Sequence, residues 1–474
     1  MIRETLWSGL GLIGALRARV VGGLPRDVDG VSIDTRSLEP GDLFFAIKGD
    51  ARDGHEFVET AFGRGAATAV VDEAHAAQLS HLAPLYVVKD VQEALERLGA
   101  KARERSSAYI VAVTGSVGKT STKDMAKAVL SRFGETHASA ASYNNQWGVP
   151  LSLSRLPTSA RYGLFEVGMN HAGEIAALVD LVKPHVALVT RVAPVHLEHF
   201  SSLEAIADAK AEIFTGLVDG GVAILNRDDE TFERLLEAAA ASKADHVFGF
   251  GATEGAQARL LAYEPSDGSV EADIFGRRLR YRIGAPGRHF ALNSLAVLTI
   301  AHVLDFDLQE AVDALKDFTP PKGRGRREKF LVDDGEFTLI DESYNANPTS
   351  MRAALDLLAA TAPSGSGRRI AALGDMLELG PSAGELHAEL APDLEKARVD
   401  LLFTAGPLMA RLFYAAPEQM RGAHRANAPE LEGDAVAAIG KGDVVMVKGS
   451  NGSRMTRIVE AIRAKFASAH SDAV

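Results

Sequence analysis

The run Val111-Ala112-Val113-Thr114-Gly115-Ser116-Val117-Gly118-Lys119-Thr120-Ser121-Thr122 constrains this chain more than any other segment. An apolar strand turns through glycines into a helix. Such a turn points backbone N–H groups at an anion, and the helix N-terminus adds its dipole. Lys119 is placed to reach terminal phosphates and the Thr120 hydroxyl to bind Mg2+. The usual phosphate loop has glycine, four residues, then Gly-Lys; here Val113 holds the first glycine's place, so the loop is shortened. A turn serving only to reverse the chain would leave the adjacent Lys119 and Thr120 unexplained.

Around this loop the pattern is strand and helix in alternation. Ile110 to Val113, Gly163 to Val167, Val186 to Thr190 and Val222 to Leu225 are short continuous apolar runs with helical periodicity between them. Runs of this kind predict a parallel sheet covered on both faces. Before it, Leu43 to Ile47, Thr68 to Val71 and Leu85 to Val88 precede a helical stretch over Val91 to Arg105. After it, prolines, glycines and basic residues over Phe318 to Arg327 interrupt the pattern, and Thr338 to Ile340, Ile370 to Leu373, Leu401 to Thr404 and Val444 to Val447 resume it. At about 150 residues per domain, 474 residues suit three domains. The expectation is α/β throughout: a small domain over residues 1–106, a central phosphate-loop domain over 107–318, and a Rossmann-like domain over 319–474.

Composition narrows the partners. A net charge of −12 offers no global basic field for nucleic acid or an anionic membrane, so neither is expected as a partner. Cys 0 excludes disulfides, thiolate nucleophiles and cysteine zinc sites, and fits a cytoplasmic location. Leu10 to Leu16 follows Glu4 and lacks a cleavage pattern, which makes it a first helix rather than a leader. No apolar stretch approaches the length of a membrane span.

Other residues acquire meaning beside the loop. Glu166 ends the run Gly163 to Val167, and a carboxylate at the C-terminal edge of a parallel sheet faces the ligand crevice, where it can hold a metal. Asn144 and Asn145 lie in the polar loop Tyr143 to Pro150 that leads into a helix. His196 and His199 are three apart, without a third ligand to suggest zinc. Lys210, on a helix with Leu203, Ile206 and Ile213, reads by itself as a solvated surface residue. Asn226-Arg227-Asp228-Asp229 imitates the base-reading tetrad of GTP switches. The aspartates between it and the loop (Asp124, Asp180, Asp208 and Asp219) all lack the required glycine three residues on.

Taken together, these segments resemble the Mur ligases, ATP-dependent amide-bond ligases of peptidoglycan precursor assembly. The resemblance covers all three expected domains. Ser32-Ile33-Asp34-Thr35-Arg36, Phe44 to Gly49 with Asp53-Gly54-His55, Asp341-Glu342-Ser343-Tyr344-Asn345-Ala346-Asn347-Pro348, Leu373 to Gly380 and Lys448-Gly449-Ser450 narrow it to one branch. That branch adds D-alanyl-D-alanine to UDP-N-acetylmuramoyl-tripeptide through an acyl phosphate, releasing ADP and phosphate.

The resemblance implies ATP, two Mg2+ ions and a monomeric enzyme. Gly115, Ser116, Val117, Gly118, Lys119, Thr120 and Ser121 would hold the phosphates, with Thr120 and Glu166 on the first Mg2+ and His196 on the second. The lysine matching Lys210 is carbamylated in this family and helps hold that second ion. Asn293, beside His289, matches the position that reaches adenine; N-capping of a helix is the competing reading. Arg324 would swing onto the γ-phosphate on domain closure, against the reading of a basic linker, and Asp341 would touch the nucleotide. Asp34, Thr35 and Arg36, assisted by Lys48, would form the uridine site, unless Asp34 merely caps a turn. Asn144, Asn145, Tyr344, Asn345 and Asn347 would shape the substrate cleft. Lys119, His196, Lys210 and Arg324 are thus the expected catalytic set. Two positions depart from the family: Arg191 stands where asparagine is usual and Ala193 where glycine is common. Competing functions are a ligase adding a different amino acid, including a folyl-polyglutamate type, a P-loop kinase, and a nucleotide-binding regulator.

Overall fold

A computed structural model describes residues 4–49, 51–82, 84–140, 142–195, 198–333 and 335–469. Three separate sheets succeed one another along the chain. The first has five strands in the order Arg19–Val21, Leu85–Val88, Thr68–Asp72, Asp42–Phe45, Gly30–Ser32, parallel except for the first pair. Its covering helix Val91–Arg105 begins at Asp90, whose carboxylate accepts from the Glu93 N–H, and buries Leu95, Leu98 and Ala102.

The central sheet has nine strands, and its order places the loop. Tyr109–Thr114 lies between Val186–Val189 and Tyr162–Glu166, with parallel pairing on both sides. Register sets Val113 opposite Glu166 and Thr114 opposite Val189, so the turn after Thr114 opens beside the Glu166 carboxyl. Two buried clusters cover the sheet's faces, one led by the helices Lys119–Phe133 and Arg288–Val303, the other by Glu174–Val182 and Leu203–Ala211. The expected parallel strands are present. Beyond them, Ala258–Glu264 joins parallel to Ala244–Gly251, and Ser269–Ile274 and Arg277–Arg282 extend the sheet antiparallel, strands the sequence pattern did not predict.

The third sheet has six strands in the order Arg326–Val332, Gly335–Glu342, Val444–Lys448, Arg369–Gly374, Leu401–Ala405, Arg421–Arg425. The segment read as an interruption therefore passes straight into an antiparallel edge strand at Arg326. Helices pack on both faces of this sheet as well. No helix among the described residues is long and apolar enough to cross a membrane.

Candidate active site

Gly115 has φ 145°, and a Cβ there would lie 2.0 Å from Thr190 Oγ1; only glycine lets the strand turn beneath that hydroxyl. Gly118, with φ 88°, starts the helix Lys119–Phe133 and meets the Asn293 amide, 3.2 Å from where a Cβ would stand. Asn293 sits inside the helix Arg288–Val303, capped at Gly287, so its amide faces the loop rather than capping. The loop is braced from the neighbouring strand's exit. Ser116 N–H donates to Arg191 O at 2.6 Å, the Ser116 hydroxyl and Ala193 backbone bond at 3.0 Å, and the Thr190 hydroxyl lies 2.7 Å from Val117 O. Residues 191 and 193 use backbone atoms for this bracing, so their departures from the family pattern leave it intact.

From the loop a chain of hydrogen bonds runs to the C-terminal domain. The Thr120 hydroxyl donates to Glu166 Oε2 at 2.8 Å, and Asn144 Nδ2 donates to Glu166 Oε1 at 2.7 Å. Ser142 Oγ accepts from Arg324 at 3.1 Å, which leaves its own proton for Thr120 Oγ1, also 3.1 Å away. Arg324 stacks over the Tyr344 ring at 4.2 Å. Glu166 is buried, and its hydrogen-bond donors are neutral. A buried carboxylate so arranged, with two hydroxyls beside it, is a hard oxygen donor set that fits a divalent cation such as Mg2+.

Lys119 folds back to donate to Gly115 O at 2.6 Å. Burial lowers its pKa; the Glu166 charge opposes that and Arg324 adds to it. Lys210 is buried at 2% exposure, against the surface reading of its helix. Burial pulls its pKa well below the ordinary lysine value, and the Lys119 charge pushes the same way. Among the described residues no carboxylate pairs with it. His196 lies outside the described residues.

Lys119 and the hydrogen-bonded chain from Thr120 to Arg324 belong to one cleft of about 990 Å3 between the central and C-terminal domains, whose described lining does not include Lys210. Ser116 to Ser121, Asn144, Asn145, Glu166, Asn293, Arg324, Tyr344, Asn345 and Asn347 all line it. Several asparagines do local work there: Asn144 orients Glu166, Asn145 Oδ1 accepts from Gly148 N–H at 2.9 Å, and Asn347 caps the helix Pro348–Ala360 in a reciprocal box with Ser350. Asn345 O accepts from Lys448 at 2.9 Å. Asp341 lies behind the cleft rather than on it. Its oxygens accept from Gly323 N–H, the Ser343 N–H and hydroxyl, and Arg463, so it holds the Arg324 loop instead of facing a ligand directly.

The Asp34-Thr35-Arg36 segment and Lys48 lie apart from this cleft, on the N-terminal domain. Asp34 both caps the turn, accepting from Arg36 N–H at 2.9 Å, and pairs with the Arg36 side chain, which holds its carboxyl below the usual value. Lys48 bridges through its backbone to Asp53. The domain docks on the loop that supplies Asn144: Trp147 donates to Gln92 at 3.2 Å and Arg155 to Val31 O at 2.6 Å. Sequence reasoning missed Ser142, Glu342 and Lys448. Lys448 stood in a quoted motif without a role, and Ser142 carries no signal beyond lying two residues before Asn144. Lys448 is buried against Glu342 at 3.2 Å.

Known proteins match this chain over most of its length. Residues 27–103 match the family described as Mur ligase family, catalytic domain; 113–301 the Mur ligase middle domain; and 325–451 the Mur ligase, glutamate ligase domain. The chain is 31% identical over 432 residues to the UDP-N-acetylmuramoyl-tripeptide--D-alanyl-D-alanine ligase of Rickettsia prowazekii, covering 91% of this chain and 94% of that protein. It is 33% identical over 439 residues to the ligase of the same name from Escherichia coli, covering 92% and 94%. Among solved structures, MurF from Acinetobacter baumannii superposes with a TM-score of 0.82 at 28% identity over 98% of this chain and 100% of that one. With this coverage and identity, the chain belongs to the Mur ligase family.

Proposed function

We propose that this chain joins D-alanyl-D-alanine to UDP-N-acetylmuramoyl-tripeptide at the expense of ATP, the activity that its relatives' names carry. The observation that carries the reading is the hydrogen-bond chain Arg324–Ser142–Thr120–Glu166, which joins the phosphate loop to the C-terminal domain across the cleft. The reading includes domain boundaries near residues 106 and 318, supported by the gaps between the sheets, from Val88 to Tyr109 and from Arg282 to Arg326.

The acceptor's terminal carboxylate attacks the γ-phosphorus of ATP, ADP leaves, and the dipeptide amine then displaces phosphate from the acyl phosphate. Two anions must meet in the first step, so positive charge has to be in place before it. Lys119 supplies it from the loop and Arg324 from the opposite domain, while Asn293 orients the base. Thr120 and Glu166 would hold Mg2+, which when bound neutralises phosphate charge. His196 and Lys210 would serve a second ion.

The depressed pKa of buried Lys210 supports a neutral amine, which adds to CO2 and releases one proton to give a carbamate. That product is an anion beside the Lys119 charge, a pairing its uncarbamylated form lacks. Arg36 and Asp34 take the uridine end on the N-terminal domain, and a closed cleft keeps water from the acyl phosphate. Peptidoglycan precursors built on UDP place the reaction in the cytoplasm.

The test supplies UDP-muramoyl-tripeptide, ATP and Mg2+ with D-Ala-D-Ala, D-Ala, L-Lys or diaminopimelate in turn and identifies products by mass. The dipeptide alone should be added efficiently, because a site built to pair its polar groups leaves them unpaired with a single amino acid. Efficient addition of a single amino acid, with the dipeptide inert, would assign the chain to another branch.

A further inference from the structure

Five lysine and arginine side chains line the cleft among the described residues, and four of them already have protein partners. Lys119 donates to Gly115 O, Arg324 to Ser142, Arg352 to Asp393 and Lys448 to Glu342. Arg191 differs. Its guanidinium makes no hydrogen bond, ion pair or ring contact with any described residue.

The root of this side chain is nevertheless among the most restrained in the site. Its carbonyl accepts from Ser116 N–H at 2.6 Å. The carbonyl before it, of Thr190, accepts from Asn226 Nδ2 at 2.9 Å, and the N–H after it, of Val192, donates to Asp229 at 2.6 Å. Arg191 is exposed on the cleft lining, and its five N–H donors and permanent charge extend from a clamped backbone with no described residue to receive them.

Position says which anion. Asn293 abuts the phosphate loop at Gly118, whereas Arg191 N and O abut it at Gly115, each 3.1 Å from where a Cβ would stand. Arg191 therefore lies at the end of the loop away from the base-facing amide. A nucleotide laid from Asn293 along the loop presents its terminal phosphate toward that end, and the acceptor must lie beyond it. The phosphates themselves are served by the loop amides, Lys119 and Arg324.

Resting on the ligase reading above, we infer that Arg191 is a binding residue for a carboxylate of the peptide acceptor. It is a cation this chain presents from the wall of the phosphate loop, and it determines preference for acidic acceptors. Loss of one charged hydrogen-bonding group costs on the order of tenfold or more in affinity.

Arg191→Gln and Arg191→Lys test this, with KM measured separately for ATP and for UDP-muramoyl-tripeptide and with acceptor binding followed by titration calorimetry in the absence of ATP. Arg191→Gln should raise the acceptor KM and Kd on the order of tenfold, leave the ATP KM within about twofold and kcat near the parent value, and Arg191→Lys should recover part of the loss. Acceptors ending in diaminopimelate and in lysine identify the carboxylate: a larger loss with diaminopimelate assigns its side-chain carboxylate, and equal losses assign a main-chain one. A rise in the ATP KM matching that of the acceptor, or no change in either, would overturn the inference. A parent enzyme that binds the acceptor but forms no product would instead overturn the ligase reading, and the calorimetric arm would still decide the role of Arg191.

Discussion

Arg324 reaches Ser142 across 3.1 Å although 182 positions separate them in sequence, and Ser142 in turn touches Thr120. One hydroxyl thus couples the C-terminal domain's cation to the phosphate loop. A double-mutant cycle of Ser142→Ala and Arg324→Ala, read on kcat/KM for ATP, should give a coupling energy of about 0.5–3 kcal/mol. Additivity within about 0.3 kcal/mol would mean that Arg324 acts independently of the loop.

Lys210 should carry a carbamate. In enzyme equilibrated with 13C-bicarbonate, before any nucleotide is added, a carbamate carbon signal is expected that Lys210→Ala lacks. The variant should lose activity at least about 100-fold, with partial recovery when a short carboxylic acid fills the gap. Retained activity without added acid would restore the reading of Lys210 as a spectator, despite its burial.

Much of this was legible in the sequence because it depends on local chemistry. Two glycines, a lysine and a threonine at fixed spacing specify the loop, and a carboxylate ending an apolar run specifies Glu166. Other features depend on tertiary placement. The polar alternation in Arg277–Arg282 belongs to an edge strand with one wet face, which reads like a loop until its partner is known. The burial of Lys210 follows from packing against the central sheet, so its helix periodicity pointed the wrong way. Asp341 was expected on the nucleotide from the family resemblance, yet backbone N–H groups and Arg463 turn its oxygens inward. Ser142 had no signal of its own, since its importance lies in what a different domain brings to it.

Arg36→Ala should raise the KM for the UDP-substrate on the order of tenfold and leave that for ATP unchanged, because Arg36 lies on the N-terminal domain, apart from the cleft. Its side chain is exposed and among the described residues pairs with Asp34 alone, so the variant should fold normally. Steady-state kinetics with each substrate varied decide the matter; equal rises in both constants would contradict the assignment.

His137 should make the central domain acid-sensitive. Burial pulls its imidazole down from 6.5 to about 4, while its Nε2–H donates to Ser152 O at 2.8 Å. Between those two values the unfolded chain binds the extra proton, so stability falls as pH falls through that window, by at most about 1.4 kcal/mol per pH unit for this group. His137→Gln should show a shallower decline in urea midpoint over the same window. An unchanged slope would assign the acid sensitivity elsewhere.

The inward-facing Asp341 bears on how the enzyme keeps time. Its carboxylate ties the Gly323–Arg324 turn to Ser343 and to Arg463 on the last helix, and Gly325 N–H is fixed to its carbonyl at 2.8 Å. On the ligase reading, the guanidinium that would meet the phosphate is consequently carried on the whole C-terminal body. On that reading no loop needs to reorganise on its own; any change in the charge it brings would follow motion of the whole domain, on the microsecond-to-millisecond scale of such hinges. The chemical step and any motion that shelters its product would then share one clock.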